Sequence, residues 1–302
     1  MGYQKYIGVQ VEILSLVHKT IDFFPRVVNK LKRIKPNIVN NDEFLVLSDS
    51  QGTYYENAIS SILDNKGRLS KFRRIYNYRE ILEHVDYHLG KKYLERIRLL
   101  EPSLLSPVYL FQENDNFGSP RIYKYHGIGR ISPTTLRYIY TAAEMRKLFG
   151  VGNAGRIAEI GAGYGGQASI LHKLSWFSSY SIFDLESAQK LIAIYLAKQG
   201  VTRFTFPTLE ESDSTFDLVI SNYAFSELPK NLQMVYLEKV ILKSTHGYMQ
   251  MNSGKFNLTK RSTGKLSVEE LLRTIPNSRL LPENPLSGPD NYLLVWGAKS
   301  ID

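Results

Sequence analysis

Three short stretches hold the residue types that can do chemistry. In A-E-I-G-A-G-Y-G-G-Q (158–167), Glu159 stands two residues before Gly161, with Gly163 and Gly165 following. Glycines allow a backbone to turn tightly and lie against a ligand. A helix opening near Gln167 would point its unbonded N-terminal amides at the same place. In I-F-D-L (182–185), Asp184 closes an apolar run where a carboxylate can hold both hydroxyls of a ribose, with Leu185 beside the base. A helix-capping Asp is the plainer alternative. The third stretch, S-N-Y-A-F-S-E-L (221–228), gathers Asn222, Tyr223, Ser226 and Glu227. Phe225 and Leu228 flank Glu227, and desolvation would raise its pKa toward that of a general base. A salt-bridging or capping Glu would look the same in sequence.

Two cofactor classes fit the glycines. Gly161, Gly163 and Gly166 satisfy the dinucleotide spacing G-x-G-x-x-G, whereas Gly161, Gly163 and Gly165 satisfy the E/D-x-G-x-G-x-G pattern of S-adenosylmethionine (SAM) sites. Glu159 favours the second, because its carboxylate would repel a pyrophosphate but could bind the ammonium of a methionine moiety. The expected cofactor set is Glu159, Gly161, Gly163, Tyr164, Gly165, Gln167, Asp184, Leu185, Asn222 and Tyr223.

The elements around these stretches alternate. Apolar runs at 156–160, 180–184, 201–206, 216–222 and 247–251 read as strands, and 167–174, 187–199 and 231–243 as helices between them. Such alternation predicts an α/β fold with a doubly wound, Rossmann-like parallel sheet. A helix at 266–275 and strands at 278–281 and 292–298 would close the sheet with an antiparallel strand. Upstream, Ser132 is an N-cap and Pro133 a first-turn proline, opening a helix to Phe149. That helix would lie over the cofactor site, bringing Arg130, Thr134, Thr135 and Arg137 within reach. Arg130, Arg137 and Ser226 are the expected acceptor contacts.

The front of the chain reads as helical. Ile7, Val11, Leu14, Val17, Ile21 and Phe24 recur at helical spacing before Pro25, and a basic stretch follows at 26–35. An amphipathic basic helix either packs on its own domain or lies on a membrane surface. Helices are expected at 54–63 and 70–100, with Gly67 and Gly90 as breaks. The Arg and Tyr residues at 71–79 read as helix surface and inter-domain packing, and 101–120, with three prolines, as a linker or lid. The expected division is a helical front region with linker, 1–120, and a SAM-binding domain, 121–302.

Composition narrows the function. The 302 residues carry a formal charge of +9 and no cysteine, which excludes disulfides, thiolate nucleophiles and Cys-ligated metal. No acidic pair or His cluster suggests a metal. No apolar run approaches the roughly 20 residues of a membrane span and no signal peptide is visible, so a cytoplasmic protein is expected, with peripheral contact at the inner membrane face. Basic residues exceed acidic ones by eight in 1–150 and by one in 151–302. Such an excess suits an anionic acceptor. No nucleic-acid motif accompanies it, so no specific nucleic-acid partner is expected.

The chain resembles the sugar O-methyltransferases found with bacterial surface-polysaccharide enzymes. The resemblance rests on S-P-T-T-L-R-Y-I-Y (132–140), A-E-I-G-A-G-Y-G-G-Q (158–167), I-F-D-L (182–185), F-D-L-V-I-S-N-Y-A-F-S-E-L (216–228) and G-Y-M-Q-M-N (247–252). It spans residues 120 to 298 and matches the helical front only loosely. It implies SAM as methyl donor and a hydroxyl of a glycan or nucleotide-sugar as acceptor. It supplies no catalytic base. Methyl transfer to a hydroxyl needs an aligned oxygen and a group to take its proton. Glu227 and His126 are the candidates, with His246 weaker. A dinucleotide oxidoreductase, a non-catalytic binding module and an RNA methyltransferase are the competing readings.

Overall fold

The computed structural model describes residues 52–150, 155–210, 214–252 and 264–299. The helical spacing from Ile7 to Phe24 and the basic stretch at 26–35 lie outside these residues. Helix α1 (Gly52–Leu63) and α2 (Tyr76–Leu82) turn Tyr55, Ile59, Ile62 and Tyr78 inward. Helix α3 (Tyr87–Leu100) starts at Asp86, whose carboxylate accepts from the Leu89 amide at 2.8 Å. The break expected at Gly90 therefore falls earlier, and Gly90 sits inside the helix. A Cβ there would overlap Tyr125 Oη and lie 2.9 Å from Pro133 Cβ, so its role is close packing.

Residues 101–120 are built from short helical turns packed into the core, not from a free linker. Phe111 and Asn114 are fully buried. Burial of a side chain like Phe111 contributes about 1.5–3 kcal/mol. A hairpin follows, β1 (Tyr123–Tyr125) antiparallel to β2 (Gly129–Ile131). Helix α4 (Pro133–Phe149) begins as expected. Ser132 Oγ accepts from the Thr135 amide at 3.1 Å, Pro133 fills the first turn, and Gly150 ends the helix in a left-handed conformation.

The sheet then forms in the expected alternation. Its elements are β3 (Arg156–Ile160), α5 (Gly166–Lys173), β4 (Ser179–Phe183), α6 (Glu186–Lys198), β5 (Phe204–Thr205) and β6 (Phe216–Asn222). The chain continues through α7 (Ala224–Glu227), α8 (Lys230–Tyr236), β7 (Ser244–Met251), α9 (Val268–Thr274), β8 (Arg279–Pro282) and β9 (Tyr292–Trp296). The third strand is shorter than its apolar run suggested, because it is the sheet edge. Helix α8 passes into a wider helical turn at Leu237–Ile241.

The strand order is β5-β4-β3-β6-β7-β9-β8, parallel except for β9, which runs antiparallel to both β7 and β8. Alternate residues feed two cores. Ile157, Tyr180, Ile182, Leu218 and Ile220 pack with α4, α5, α6 and the front helices. Ala158, Ile160, Phe183, Val219 and Met249 pack with α8 and α9 on the other face. This is a doubly wound, Rossmann-like α/β fold. Strand order reverses between β3 and β6, so a ligand crevice is expected at their carboxyl ends. Among the described residues no helix is long and apolar enough to cross a membrane.

Candidate functional site

The glycine turn leaves β3 at that reversal point. Gly161 has φ +75°, and a Cβ there would overlap the Ala224 methyl group, so the turn lies directly against α7. Gly163 has φ +65°, and its amide donates to Asp184 Oδ2 at 3.2 Å. Gly165 precedes α5 as its N-cap. Asp184, half-buried at the end of β4, also accepts from the Leu185 amide at 2.8 Å through Oδ1. Burial pushes its pKa up to about 6, against the lowering effect of these amide bonds. Leu185 is half-buried beside it.

Glu159 points into the core shared with α4 and α5 and accepts from Tyr180 Oη at 2.9 Å. Desolvation pushes its pKa up to about 8, so near neutral pH it is largely protonated unless a cation arrives. Tyr164 and Gln167 are turned away from the crevice. The Tyr164 ring is fully buried against Phe72 and Tyr195, with the Arg73 guanidinium 4.8 Å from its centroid. Gln167 Nε2 donates to the Tyr138 carbonyl at 3.2 Å, tying α5 to α4. Both residues shape the turn from behind.

At the ends of β6 and β7, Asn222 lies in register with Gln250, and the buried side-chain oxygen of each has no hydrogen-bond partner. Tyr223 takes φ +74°, an uncommon conformation for a residue with a Cβ. Its hydroxyl donates to Glu283 and lies 2.8 Å from Ser287 Oγ. Ser226 Oγ donates to the Tyr223 carbonyl at 2.6 Å and accepts from the Asn252 amide at 3.0 Å, so this expected acceptor contact locks the turn. Glu227 is half-buried, and Asn252 Nδ2 donates to its Oε1 at 2.8 Å. Arg137 is buried on α4.

The other expected residues are placed elsewhere. His126 is exposed in the β1–β2 turn, where its carbonyl accepts from Arg98, and Arg130 is exposed on β2. The structure shows neither with a contact to the strand ends. His246 Nδ1 lies 2.9 Å from the Asp217 carbonyl. Thr134 donates to Glu83 and Thr135 to Asp115, so both are occupied within the fold.

Sequence reasoning missed the network that backs the turn. Arg73, read among helix-surface and inter-domain packing residues, is fully buried, 2.6 Å from Glu83 and 3.2 Å from Asp115. It also donates to the Asn114 carbonyl at 2.9 Å and to Ser132 Oγ at 3.2 Å. Tyr55 stacks on Tyr78 at 6.2 Å, and Leu82 lies over Gly163, where a Cβ would meet its methyl groups at 3.3 Å. The front helices thus form a wall of the crevice. Among the described residues no group of His, Asp and Glu is placed to hold a metal ion.

No protein-family model matches the chain, and no curated protein matches it. Solved structures do. The methyltransferase domain of bacterial CtHen1-CN aligns over 53% of this chain and 96% of its own, with 14% identity and a TM-score of 0.40. Thermoplasma acidophilum 1320 aligns over 64% of this chain and 96% of its own, also with 14% identity and a TM-score of 0.40. The mitomycin 7-O-methyltransferase MmcR aligns over 53% of this chain and 56% of its own, with 11% identity and a TM-score of 0.38. The Rossmann-like class itself follows from the strand order and register of this chain.

Proposed function

We propose that the chain is a SAM-dependent methyltransferase that acts on a sugar hydroxyl of a bacterial surface glycan or its precursor. The observation that carries this reading is the juxtaposition at the sheet's reversal point. A glycine turn with left-handed backbone at Gly161 and Gly163 faces Asp184 at the end of the next strand, and buried Glu159 lies just before it. The residues fit the cofactor. On this reading Asp184 would hold the ribose hydroxyls, Leu185 would lie beside the adenine, and Glu159 would take the methionine ammonium. A dinucleotide would find no use for the polar group at 222–227.

When bound, the cofactor supplies an electrophilic methyl carbon on a sulfonium. The chain's part is to align the acceptor oxygen and take its proton. Glu227, oriented by Asn252, is the group for the proton, with Asn222 and Tyr223 at the end of β6 before it. The front helices form the acceptor side, and the basic stretch at 26–35 lies outside the described residues. That stretch suits an anionic membrane face where lipid-linked glycan precursors would be presented.

Calorimetry with S-adenosylhomocysteine and with NADH tests the cofactor, and binding of the first alone is expected. Binding of NADH alone would overturn the reading. With SAM and a panel of glycans, a mass gain of one methyl group on a sugar is expected. Methylation confined to RNA or protein would overturn the acceptor class.

A further inference from the structure

Among the described residues, the guanidinium of Arg137 is a buried cation with no anion at ion-pair distance. Its residue is 5% exposed, and its Nε has no hydrogen-bond partner. Its close contact is Tyr138, whose ring centroid lies 5.4 Å from the guanidinium carbon and whose side chain hydrogen-bonds with it. Arg73 provides the comparison. It is fully buried, but the fold surrounds it with Glu83, Asp115, Asn114 and Ser132. An uncompensated buried charge is costly, so a lone one points to a partner from outside the chain.

Neighbouring groups define that partner. Thr141, one helical turn beyond Arg137 on the same face of α4, is 1% exposed, and its hydroxyl has no partner. Tyr93, on the packed helix α3, is also 1% exposed with an unpartnered hydroxyl. Both Tyr93 and Tyr223 lie within electrostatic range of Arg137. Beside Tyr223, the amide oxygens of Asn222 and Gln250 lack donors. Donors at one end and acceptors at the other complement a molecule that carries an anion and several hydroxyls.

We propose that Arg137, with Thr141 and Tyr93, anchors a carboxylate on the acceptor, so that the sugar methylated is a uronic acid. This rests on the sugar-methyltransferase reading above. A carboxylate brings one negative charge, which one guanidinium balances. A phosphate monoester carries about −1.5 to −2 at neutral pH. Glu283, bonded to Tyr223, would oppose the excess. Arg137 lies within electrostatic range both of Tyr223 after β6 and of His84 near the glycine turn, so retained S-adenosylhomocysteine affinity in an Arg137 variant is what assigns the carboxylate to the acceptor and not to the cofactor. Burial also shields this pairing from salt, unlike attraction by an exposed basic face.

The test titrates the full chain, saturated with S-adenosylhomocysteine, with glucuronate, galacturonate, glucose, galactose and glucose 6-phosphate. The uronates should bind about tenfold or more tightly than the rest. Arg137→Gln should abolish that preference with S-adenosylhomocysteine affinity within about twofold of wild type, and Arg137→Lys should keep part of it. Arg137→Met should raise the melting temperature of the ligand-free protein, an effect opposite to losing a structural ion pair. Thr141→Val, a smaller change on the same face, should weaken uronate binding without unfolding the chain. Equal binding of acidic and neutral sugars, tighter binding of the phosphate, or loss of S-adenosylhomocysteine affinity in Arg137→Gln would overturn the proposal. A chain that bound uronates through Arg137 yet ignored S-adenosylhomocysteine would keep the anion site and overturn the methyltransferase reading instead.

Discussion

The amide of Gly163 donates to the carboxylate of Asp184 at 3.2 Å, which fixes the glycine turn of one strand to the end of its neighbour. Asp184→Ala removes this acceptor and the one for Leu185. S-adenosylhomocysteine affinity should fall by about 10-fold to 150-fold, the loss of charge-assisted bonds worth roughly 1.5–3 kcal/mol. Calorimetry on the folded variant measures it, and unchanged affinity would remove Asp184 from the site.

Gly163→Val tests the turn itself. At φ +65° a side chain costs about 1–2 kcal/mol, and its Cβ would press on Leu82 at 3.3 Å. The variant should melt earlier and lose cofactor binding. Adding Leu82→Ala should relieve the contact without restoring binding, as thermal unfolding and titration would show together.

Stability should fall as pH rises toward neutrality. Burial holds Asp184 near 6 and Glu159 near 8, both above their unfolded values of about 4. Between the unfolded and folded pKa the native state keeps a proton that the unfolded chain has lost, so the slope is negative. The Asp184 contribution is spent by pH 6, and that of Glu159 continues to about 8, at no more than about 1.4 kcal/mol per pH unit. Urea unfolding across this range should show the slope, and Glu159→Gln should flatten its upper part.

Variants of Glu227 and His126 distinguish the two candidate bases. Glu227→Gln should lower turnover by roughly 100-fold to 10,000-fold with cofactor affinity nearly intact. His126, exposed in the hairpin turn, should tolerate Ala with near-normal turnover. Single-turnover kinetics at saturating acceptor would show it, and the opposite pattern would return the base to His126.

Arg73→Met should be among the most damaging substitutions in the chain. It would leave Glu83 and Asp115 buried without their cation, a loss of about 3–5 kcal/mol by urea unfolding. A cost under about 1 kcal/mol would mean that the two carboxylates find other partners.

Legibility followed distance along the chain. The Ser132–Pro133 helix start, the apolar strands and the glycine turn are local signals, and each appears where its residues suggest. Asp184 was legible because a strand end is a short-range feature. Gly90 misled because a helix-breaking residue and a close-packing residue look alike until the hairpin packs on it. Arg73 was opaque because its partners Asn114, Asp115 and Ser132 lie 41 to 59 residues away. Arg137 could be named from its position on α4. Its lack of an anion could be seen only once the neighbouring helices were in place.

Tyr195 on α6 donates to the Asn114 carbonyl, 81 residues earlier, and Gln199 donates to the Glu113 carbonyl, 86 residues earlier. These bonds bear on the order in which a nascent chain can mature. The front helices leave the ribosome with Phe72 and Phe111 exposed, and those rings meet their full set of neighbours only after α6 has emerged. Synthesis at about 5–20 residues per second makes that a delay of several seconds. Over this interval the unfinished front would be a client for chaperones, and a stall before α6 would leave an aggregation-prone fragment.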